Sequence, residues 1–463
     1  MRIPSELKEL AQIFKSKGHT LYIVGGYVRD AYLNIQSLVR DDIDLCSDVT
    51  PKVLKELLNE TKFEIQNLNE KLGVMAIFGK RRYEYATFRR EVYEDEGHIP
   101  DKVEFIKSLD EDAKRRDFKI NAIYYDILAG EYIDPVGGIE DLKNQVITTV
   151  RAPKVVFNDD PERILRLIRF ACCMGLKIPE DELWYARKNS YKIQFISKFR
   201  LRNEFERLLT ADEVYPELLY TKDAHFRAMM LLGEIKCWKY IMPTMYEIES
   251  TNCVDNKGEK IYDHTLNCLK NASPSIRLAV LLHDAAKVKT METQKNFFGA
   301  AEFVGTIVEK NLGINGLGYS KDIVSKVTRI IHGYDFNKFG LASRKTIKKF
   351  IFENRDVIEN IIEIKTVIKN ENKVNMRRVH SAEVLRHVWN EMQRSHAPFE
   401  LKELNINGDE IIRNFPQIKV ENIDDLLDEL LLRTALNPMN NRRENLLLMA
   451  HKVINSKRDY YLE

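Results

Sequence analysis

Hydrophobic and polar positions follow two different patterns along the chain, and the change lies near residue 157. Before it, short apolar runs of the kind that form buried strands occur at 21–24, 43–45, 73–78 and 83–88. Residues 121–128 fit either a helix or a strand. After it, apolar residues recur every three or four positions, which predicts helices, as in 159–175, 200–210 and 275–290. The pattern predicts an α+β chain, with a small mixed-sheet head followed by an all-α neck, body and tail.

Composition agrees with a folded protein of several domains. The chain has 463 residues, of which 44% are hydrophobic and 31% charged, and this excludes a wholly disordered chain. At roughly 150 residues per domain the length predicts about three domains. No apolar run approaches the ~18 residues of a membrane span. The N-terminal residues are charged and helical without a signal-peptide core. We therefore expect a cytoplasmic protein that does not bind a membrane.

Net charge and cysteine spacing exclude a few classes of protein and of site. The formal net charge is +2, which excludes a globally basic nucleic-acid binder but allows basic patches. Residues 1–150 are acidic and residues 151–400 are modestly basic; this suits an acidic catalytic head and a polyanion-binding body, and ordinary scatter explains it equally well. The six cysteines form no CxxC pair, so neither a disulfide scaffold nor a zinc finger is expected.

Three carboxylates in the head predict a metal site. In a strand, Asp42 and Asp44 would share a face, and their repulsion favours a divalent cation between them. Solvated loop acids are the alternative. Glu84, in the strand at 83–88, has apolar and aromatic neighbours and would be the third ligand, unless it lies on the solvated face of an edge strand. Two ions held this way would activate an attacking hydroxyl and neutralise a leaving pyrophosphate.

A glycine turn lies upstream of these acids. Gly25-Gly26 follows the first strand and precedes a helix at 27–33, an arrangement that can cradle phosphate. The pattern Gly25-Gly26-x-Val28-Arg29-Asp30-x-x-Leu33, followed by Asp42-x-Asp44-Leu45, resembles the signature of class II tRNA nucleotidyltransferases (CCA-adding enzymes) and bacterial poly(A) polymerases. These families belong to the DNA polymerase beta superfamily. Residues 115–122, 138–142, 159–163 and 197–209 resemble, in order, the ribose-selecting, hinge, base-reading and last helical motifs, so the resemblance covers about 20–210.

The resemblance implies roles for individual residues. Gly25, Gly26, Arg29, Asp30 and Asn121 would lie at the nucleotide site. Asp117 would accept a hydrogen bond from a ribose hydroxyl, and Arg116 would pair with phosphate. Without the resemblance, Arg115-Arg116-Asp117 fits the solvated first turn of a helix.

The base-reading motif has a chemical interpretation. Cytosine and adenine both present an amino donor beside an unprotonated ring nitrogen. The Asp160 carboxylate could accept from the amino group while Arg163 donates to the ring nitrogen, and uracil and guanine would be rejected. Arg166 and Arg169 would line the same site. The alternatives are an Asp160 N-cap with Pro161 at the first helical position, and a solvated basic helix face.

The second half of the chain carries two weaker resemblances. Tyr262 to His264 and Leu281 to Lys287 resemble the start of an HD phosphohydrolase domain, which binds a metal. The next expected histidine is missing, and His332 and Asp335 could complete the site only in part. We interpret this segment as a degenerate HD fold that serves as a structural body. Residues 404–410 and 436–441 resemble the C-terminal segment of bacterial CCA-adding enzymes, which bind the tRNA elbow by shape and backbone charge.

These motifs predict four domains: head 1–155, neck 156–225, HD-like body 226–340 and tRNA-binding tail 341–463. The predicted activity is template-independent addition of C and A to the tRNA 3′ end, from CTP and ATP, with two Mg²⁺ ions and contacts to the acceptor/T-arm elbow. A poly(A) polymerase, a split CC-adding or A-adding enzyme, an HD phosphohydrolase and a non-catalytic RNA-binding protein remain alternatives. In the loop at 93–101, Gly97 stands near the position where the family has an arginine, and because this loop supports the switch from CTP to ATP in the family, the resemblance leaves the final A addition open.

Overall fold

The computed structural model describes residues 1, 3–35, 42–93, 100–251, 253–254, 258–294, 300–337, 340–371 and 376–461. The chain forms two compact units. The first comprises Met1–Asn252 with Lys310–Tyr319, and the second comprises Cys253–Glu309 with Ser320–Glu463. The finer division into head, neck, body and tail stays a prediction.

Within the described residues, nine strands all lie in the first 133 residues. They are β1 (Tyr22–Val24), β2 (Asp44–Ser47), β3 (Glu64–Asn69), β4 (Val74–Phe78), β5 (Arg82–Thr87), β6 (Arg89–Val92), β7 (Lys102–Phe105), β8 (Tyr124–Asp126) and β9 (Tyr132–Ile133). Seven of them form one sheet in the order β3-β4-β5-β2-β1-β8-β9, and β6 and β7 form a separate hairpin. All neighbours in the large sheet are antiparallel except β2 and β5. The sheet is therefore mixed.

Helices make up most of the remaining described chain. In the first unit they are α1 (Ser5–Ser16), α2 (Gly26–Tyr32), α3 (Pro51–Leu58), α4 (Leu109–Lys114), α5 (Gly138–Lys143), α6 (Pro153–Asp159), α7 (Glu162–Met174), α8 (Glu180–Asn189), α9 (Lys198–Leu209), α10 (Ala224–Glu234), α11 (Trp238–Ile241) and α12 (Pro243–Ser250). From residue 261 onward they are α13 (Ile261–Lys270), α14 (Arg277–Leu282), α15 (Ala285–Gln294), α16 (Ala300–Leu312), α17 (Lys321–Asp335), α18 (Arg344–Glu353), α19 (Ile358–Glu371), α20 (Met376–Arg394), α21 (Gly408–Asn414), α22 (Ile423–Leu436), α23 (Arg443–Ser456) and α24 (Arg458–Tyr461).

The sheet register brings residues distant in sequence together. Asp44 opens β2, where it pairs with Val24 of β1 on one side and with Glu84 of β5 on the other. Behind this point Val24 joins Cys46, Phe88 and Tyr124 in a buried core cluster. Because β2 is a central strand with a packed core beside it, the position of Asp44 is tightly specified.

The predicted α+β class, with a mixed-sheet head and a helical remainder, is confirmed. One detail of the strand prediction is wrong: β2 begins at Asp44 rather than at residue 43, so Asp42 precedes the strand and the two acids do not alternate along it. Strand β3 was missed because its side chains are largely exposed and polar, which leaves no apolar alternation. The ambiguous stretch 121–128 contains β8. In the described part of the chain no helix is long and apolar enough to cross a membrane.

Candidate active site

Two acids lie at one end of an open cavity in the first unit, and a third is their neighbour in the sheet. Asp42 and Asp44 line the cavity, and Glu84 pairs with Asp44 in register. Desolvation by the surrounding protein, together with Glu84 and Asp42, raises the pKa of Asp44 to about 6 against the opposing effect of Arg116 and Arg166, although the residue is exposed to the open cavity. Glu84 forms an exposed ion pair with Arg82 at 2.9 Å. Carboxylates that repel one another in this way are the hard oxygen donors that suit Mg²⁺.

The glycine turn stands directly against these acids. Gly25 has a φ of +84°, a backbone conformation that favours glycine. A Cβ atom added at Gly25 would lie 3.4 Å from Asp44 Oδ2. Gly26 then begins α2, and both glycines line the cavity. The predicted strand, glycine turn and helix are therefore present beside the acids.

Arg29 and Asp30 form a buried network beneath the turn. Arg29 donates from Nε and Nη2 to Asp30 Oδ1, at 2.8 and 2.7 Å, and from Nη1 to Asn121 Oδ1 at 2.6 Å. Tyr215 accepts from Arg29 Nη2 and donates to Asp30 Oδ2, both at 2.8 Å. Arg29 and Asn121 line the cavity, but Asp30 does not. The network orients the start of α2, a role that the sequence had not predicted for Asp30 or Tyr215.

A second network holds the two arginines of the ribose-selecting motif. Ser108 caps α4 and places Asp112 inside the protein. Asp112 accepts from Arg115 Nε at 2.7 Å, from Arg116 Nη2 at 3.2 Å and from the Tyr124 hydroxyl at 2.8 Å. Burial raises the pKa of Asp112, but the two guanidinium groups outweigh burial and hold the pKa at about 2. Asp112 thus stays charged and fixes two cations at the edge of the cavity.

Asp117 is held by its neighbours as an anion. Its Oδ2 accepts from Arg166 Nε and Nη2 at 2.9 and 2.6 Å, and its Oδ1 accepts from the backbone N–H of Phe118 at 2.7 Å. Asn121 Nδ2 also donates to Oδ1, at 3.2 Å. Burial raises the pKa of Asp117, and Arg166 with these hydrogen bonds lowers it to about 2. A carboxylate fixed in this way can still accept from a ligand hydroxyl.

The base-reading pair lies at the start of α7. Asp160 Oδ1 accepts from the N–H of Glu162 at 3.1 Å, and Oδ2 accepts from Arg200 Nη2 at 2.8 Å. Arg163 is 8% exposed and donates from Nη2 to the carbonyl of Arg115 at 2.8 Å. The helix N-cap itself is Pro161, one residue after the predicted cap. Asp160 therefore satisfies an N–H of the first turn and remains on the cavity wall.

Arg169 continues the same helix toward the interior. Its Nε donates to Glu204 on α9, and its guanidinium lies 4.2 Å from the centre of the Phe170 ring. Both residues of the ion pair are almost fully buried. The pair links α7 to α9.

These groups surround one cavity of about 720 Å³. Every predicted site residue lines it except Asp30 and Glu84. Residues that the prediction did not include are Tyr27, Arg115, Glu162, Phe170, Arg200, Arg207, Thr210, Glu213 and Val214. Arg200 and Arg207 are seven residues apart on α9 and therefore lie on one face of the helix. That shared face is the signal in the sequence that could have indicated both as site residues. Within the predicted loop 93–101, residues 94–99 lie outside the described residues.

The HD-like segment belongs to the second unit, whereas the residues that line the cavity belong to the first. His264, His283 and Asp284 are buried. His332 on α17 is exposed and does not belong to the cluster that His264 and His283 form within the described chain. The expectation that His332 partly completes the site is therefore wrong.

Comparison with known families supports the resemblance found in the motifs. Residues 21–148 match the family described as the poly A polymerase head domain. A CCA-adding enzyme of Enterococcus faecalis is 37% identical over 210 residues, covering 45% of this chain and 50% of that protein. One of Streptococcus gordonii is 34% identical over 256 residues, covering 54% and 61%. The chain spans about half the length of the curated relatives it matches.

Solved structures extend the likeness of fold over nearly the whole chain. The Bacillus stearothermophilus CCA-adding enzyme in complex with CTP aligns with a TM-score of 0.66 at 21% identity, covering 99% of this chain and 100% of that one. A tRNA nucleotidyltransferase complexed with a primer tRNA and an incoming ATP analogue aligns with a TM-score of 0.51 at 23% identity, covering 82% and 99%. A segment that matches the poly A polymerase head domain thus occurs in a chain whose fold is similar to that of CCA-adding enzymes.

Proposed function

We propose that this protein adds C and A nucleotides (CCA) to the 3′ end of tRNA, from CTP and ATP, without a nucleic-acid template and with release of pyrophosphate. One observation carries the proposal: a single cavity is lined by the acids Asp42 and Asp44 and also by the pair Asp160 and Arg163. The acids supply a place for phosphoryl chemistry, and the pair supplies a place for base selection. Activity of this kind is also what the names of its relatives describe.

Asp42, Asp44 and Glu84 would hold Mg²⁺, which when bound supplies positive charge to the triphosphate and lowers the pKa of the attacking hydroxyl. The donor set fits this ion, because it consists of carboxylate oxygens, and desolvation followed by repulsion from Glu84 and Asp42 raises the pKa of Asp44. Arg116, held by Asp112 and Tyr124, faces the acids and would neutralise phosphate oxygens.

Asp117 would receive the ribose hydroxyl. Because Arg166 and the Phe118 N–H keep the carboxylate ionised, it offers an acceptor and no proton. A deoxyribose without that hydroxyl would leave a buried acceptor lone pair without its ligand donor, which favours ribonucleotides.

Asp160 and Arg163 would read the base. Asp160 accepts from the amino group of cytosine or adenine, and Arg163 donates to the adjacent unprotonated ring nitrogen. Uracil and guanine present an N–H to the guanidinium instead, so a donor would face a donor. The contacts of Arg163 with backbone carbonyls and of Asp160 with Arg200 hold both groups in place before the nucleotide arrives.

We also propose a tRNA partner, a cellular location and a division into domains. The tRNA acceptor/T-arm elbow would bind the helical tail by shape and backbone charge, as expected for a chain whose fold is shared with a nucleotidyltransferase complexed with a primer tRNA. We place the activity in the cytoplasm, with a head at 1–155, a neck at 156–225, an HD-like body at 226–340 and a tail at 341–463.

The decisive experiment supplies Mg²⁺ and three tRNAs that end before CCA, after CC, or after CCA. CTP and ATP are given singly and together, and products are resolved on a sequencing gel. Two CTP-dependent additions followed by one A are expected. Addition of C alone or of A alone would indicate a split enzyme, and long A tails on unrelated RNA would indicate a poly(A) polymerase. Activity that persists in Asp42→Ala would contradict the assignment of the acids.

A further inference from the structure

Tyr215 contacts the nucleotide site although it lies outside every motif of the sequence. It follows α9 in the chain, beyond the segment 20–210 that carries the family resemblance. Its side chain is 1% exposed and does not line the cavity. Its hydroxyl nevertheless accepts from Arg29 Nη2 and donates to Asp30 Oδ2, both at 2.8 Å. Tyr215 therefore joins the segment after α9 to the helix that follows the glycine turn.

The direction of these hydrogen bonds follows from the chemistry of the partners. Arg29 can only donate and an ionised Asp30 can only accept, so the hydroxyl proton of Tyr215 points to Asp30 and a lone pair points to Arg29. Arg29 Nε and Nη2 both donate to Asp30 Oδ1. The three side chains close a ring of hydrogen bonds around a fully buried guanidinium group, whose charge must be satisfied in place. The ring therefore holds Arg29 in one orientation.

Asn121 connects this ring to the carboxylate that would receive the ribose hydroxyl. Asn121 Oδ1 accepts from Arg29 Nη1 at 2.6 Å, and Asn121 Nδ2 donates to Asp117 Oδ1 at 3.2 Å. Because Arg29 can only donate and the Asp117 carboxylate can only accept, the amide has a single satisfactory orientation. Tyr215, Arg29, Asn121 and Asp117 thus form a continuous chain of hydrogen bonds.

An aromatic ring gives Arg29 a second connection to the same carboxylate. The guanidinium groups of Arg29 and Arg166 each lie 5.3 Å from the centre of the Phe170 ring. Arg166 in turn donates to Asp117 Oδ2. A shift of Arg29 would therefore disturb the contacts of both oxygens of Asp117, one through Asn121 and the other through Phe170.

We propose that Tyr215 is a positioning residue for the sugar of the incoming nucleotide, because by holding Arg29 it holds Asn121 and, through Asn121, the Asp117 carboxylate that distinguishes ribose from deoxyribose. The proposal rests on the proposed function, in which Asp117 receives the ribose hydroxyl. Since Tyr215 does not line the cavity, it acts through these side chains and not by contact with the nucleotide.

Selection of the base has separate supports. Asp160 accepts from Arg200, and Arg163 donates to the carbonyl of Arg115. Neither contact includes a member of the chain that begins at Tyr215. Sugar selection should therefore depend on Tyr215, and base selection should not.

The test is the preference for CTP over dCTP in the full-length protein, with a tRNA that ends before CCA. Tyr215→Phe keeps the ring and removes the hydroxyl. We expect the ratio of kcat/KM values for CTP and dCTP to fall by about 5–30-fold, a factor within the coupling found inside hydrogen-bond networks. The ratio for CTP and UTP should remain that of wild type, which a general distortion of the cavity would not allow.

Tyr85→Phe is the matched control. Tyr85 is also fully buried in the first unit, and its hydroxyl donates to the Val49 carbonyl at 2.6 Å, but it neither lines the cavity nor belongs to the chain. It should keep the wild-type preference for CTP over dCTP. An unchanged preference in Tyr215→Phe overturns the proposal. So does an equal loss in both variants, or a loss of base preference together with sugar preference in Tyr215→Phe.

Asp30→Asn gives the same readout if Tyr215→Phe does not fold. Asp30 also lies off the cavity wall and holds Arg29 by its charge, so we expect the same selective loss, and an unchanged sugar preference overturns the chain. A wild type that uses dCTP as well as CTP overturns the role of Asp117 and with it this proposal. A wild type that adds no nucleotide to any tRNA contradicts the proposed function itself, which separates the two failures.

Discussion

Two regions of this protein gather metal-binding side chains, and they do so in opposite environments. In the first unit, Asp42 and Asp44 are exposed in an open cavity, surrounded by arginines that already have carboxylate partners. In the second unit, His264, Cys268 and His283 are enclosed. The first arrangement offers oxygen ligands and free coordination positions. The second places nitrogen and sulfur atoms close together in the interior.

The difference shows how burial changes the partners that a group of polar side chains can accept. An exposed pair of carboxylates can take a hydrated hard ion together with a charged substrate, because water and arginines share the cost of assembling the charges. A buried cluster can be satisfied only by a partner that stays, since each unpaired polar atom in the interior costs about 1–3 kcal/mol. We therefore expect exchangeable magnesium at the first region.

The largest expected effect tests the first region alone. Asp44→Asn preserves shape but removes the central ligand charge, and we expect nucleotide addition to fall by more than about 100-fold, beyond the loss typical of a supporting group. Single-turnover assays with CTP measure it. Glu64→Gln, on exposed β3, should keep full activity. Full activity in Asp44→Asn would contradict the assignment of the acids.

The next effect concerns specificity within the cavity. Arg163→Ala removes the donor proposed for the ring nitrogen, and discrimination of CTP against UTP should fall by about 5–150-fold, the value of 1–3 kcal/mol for one good base contact. The ratio of kcat/KM values measures it. Arg207→Ala also removes an arginine from the cavity wall. If Arg207→Ala loses as much discrimination as Arg163→Ala, the selection arises from the general positive charge.

A smaller effect concerns folding of the first unit. Asp112 has a pKa of about 2 when folded and about 3.9 when unfolded. Its depressed pKa stabilises the fold above pH 4, and this contribution is lost as the pH falls through the folded pKa. Asp112→Asn should therefore cost about 2–3 kcal/mol of unfolding free energy at pH 7, with the difference from wild type shrinking toward pH 2.

Urea unfolding between pH 2 and 7 measures this difference. The neighbouring Asp110→Asn changes an exposed residue and should stay within about 0.5 kcal/mol of wild type. A constant deficit in Asp112→Asn across the whole pH range would mean that packing rather than charge holds Arg115 and Arg116.

The smallest set of changes concerns the metal of the first region. After strong chelation nucleotide addition should stop, and Mg²⁺ alone should restore it, because carboxylate oxygens are the ligands that this ion prefers. Assays with CTP before and after addition of the ion measure both steps. Activity that survives chelation would contradict the metal site.

Much of the candidate cavity could be predicted from linear motifs. Gly25-Gly26, Asp42 and Asp44 are close in sequence, and a strand followed by a glycine turn brings such neighbours together by local geometry. Arg163, Arg166 and Arg169 lie at three-residue steps on one helix, so their shared flank followed from helical periodicity. The resemblance to a family then indicated the reaction, which the pattern of residues alone does not specify.

The fold class, the order of the elements and the side chains available for chemistry follow from the sequence alone, because they depend on local periodicity and turn residues. Tertiary structure alone decided which of those side chains meet. Asp112 anchors both arginines only because α4 packs beside Tyr124. Glu84 pairs with Asp44 through strand register yet stays off the cavity wall. Cys268 meets His283 across fifteen residues, since contacts between elements depend on packing that no local pattern encodes.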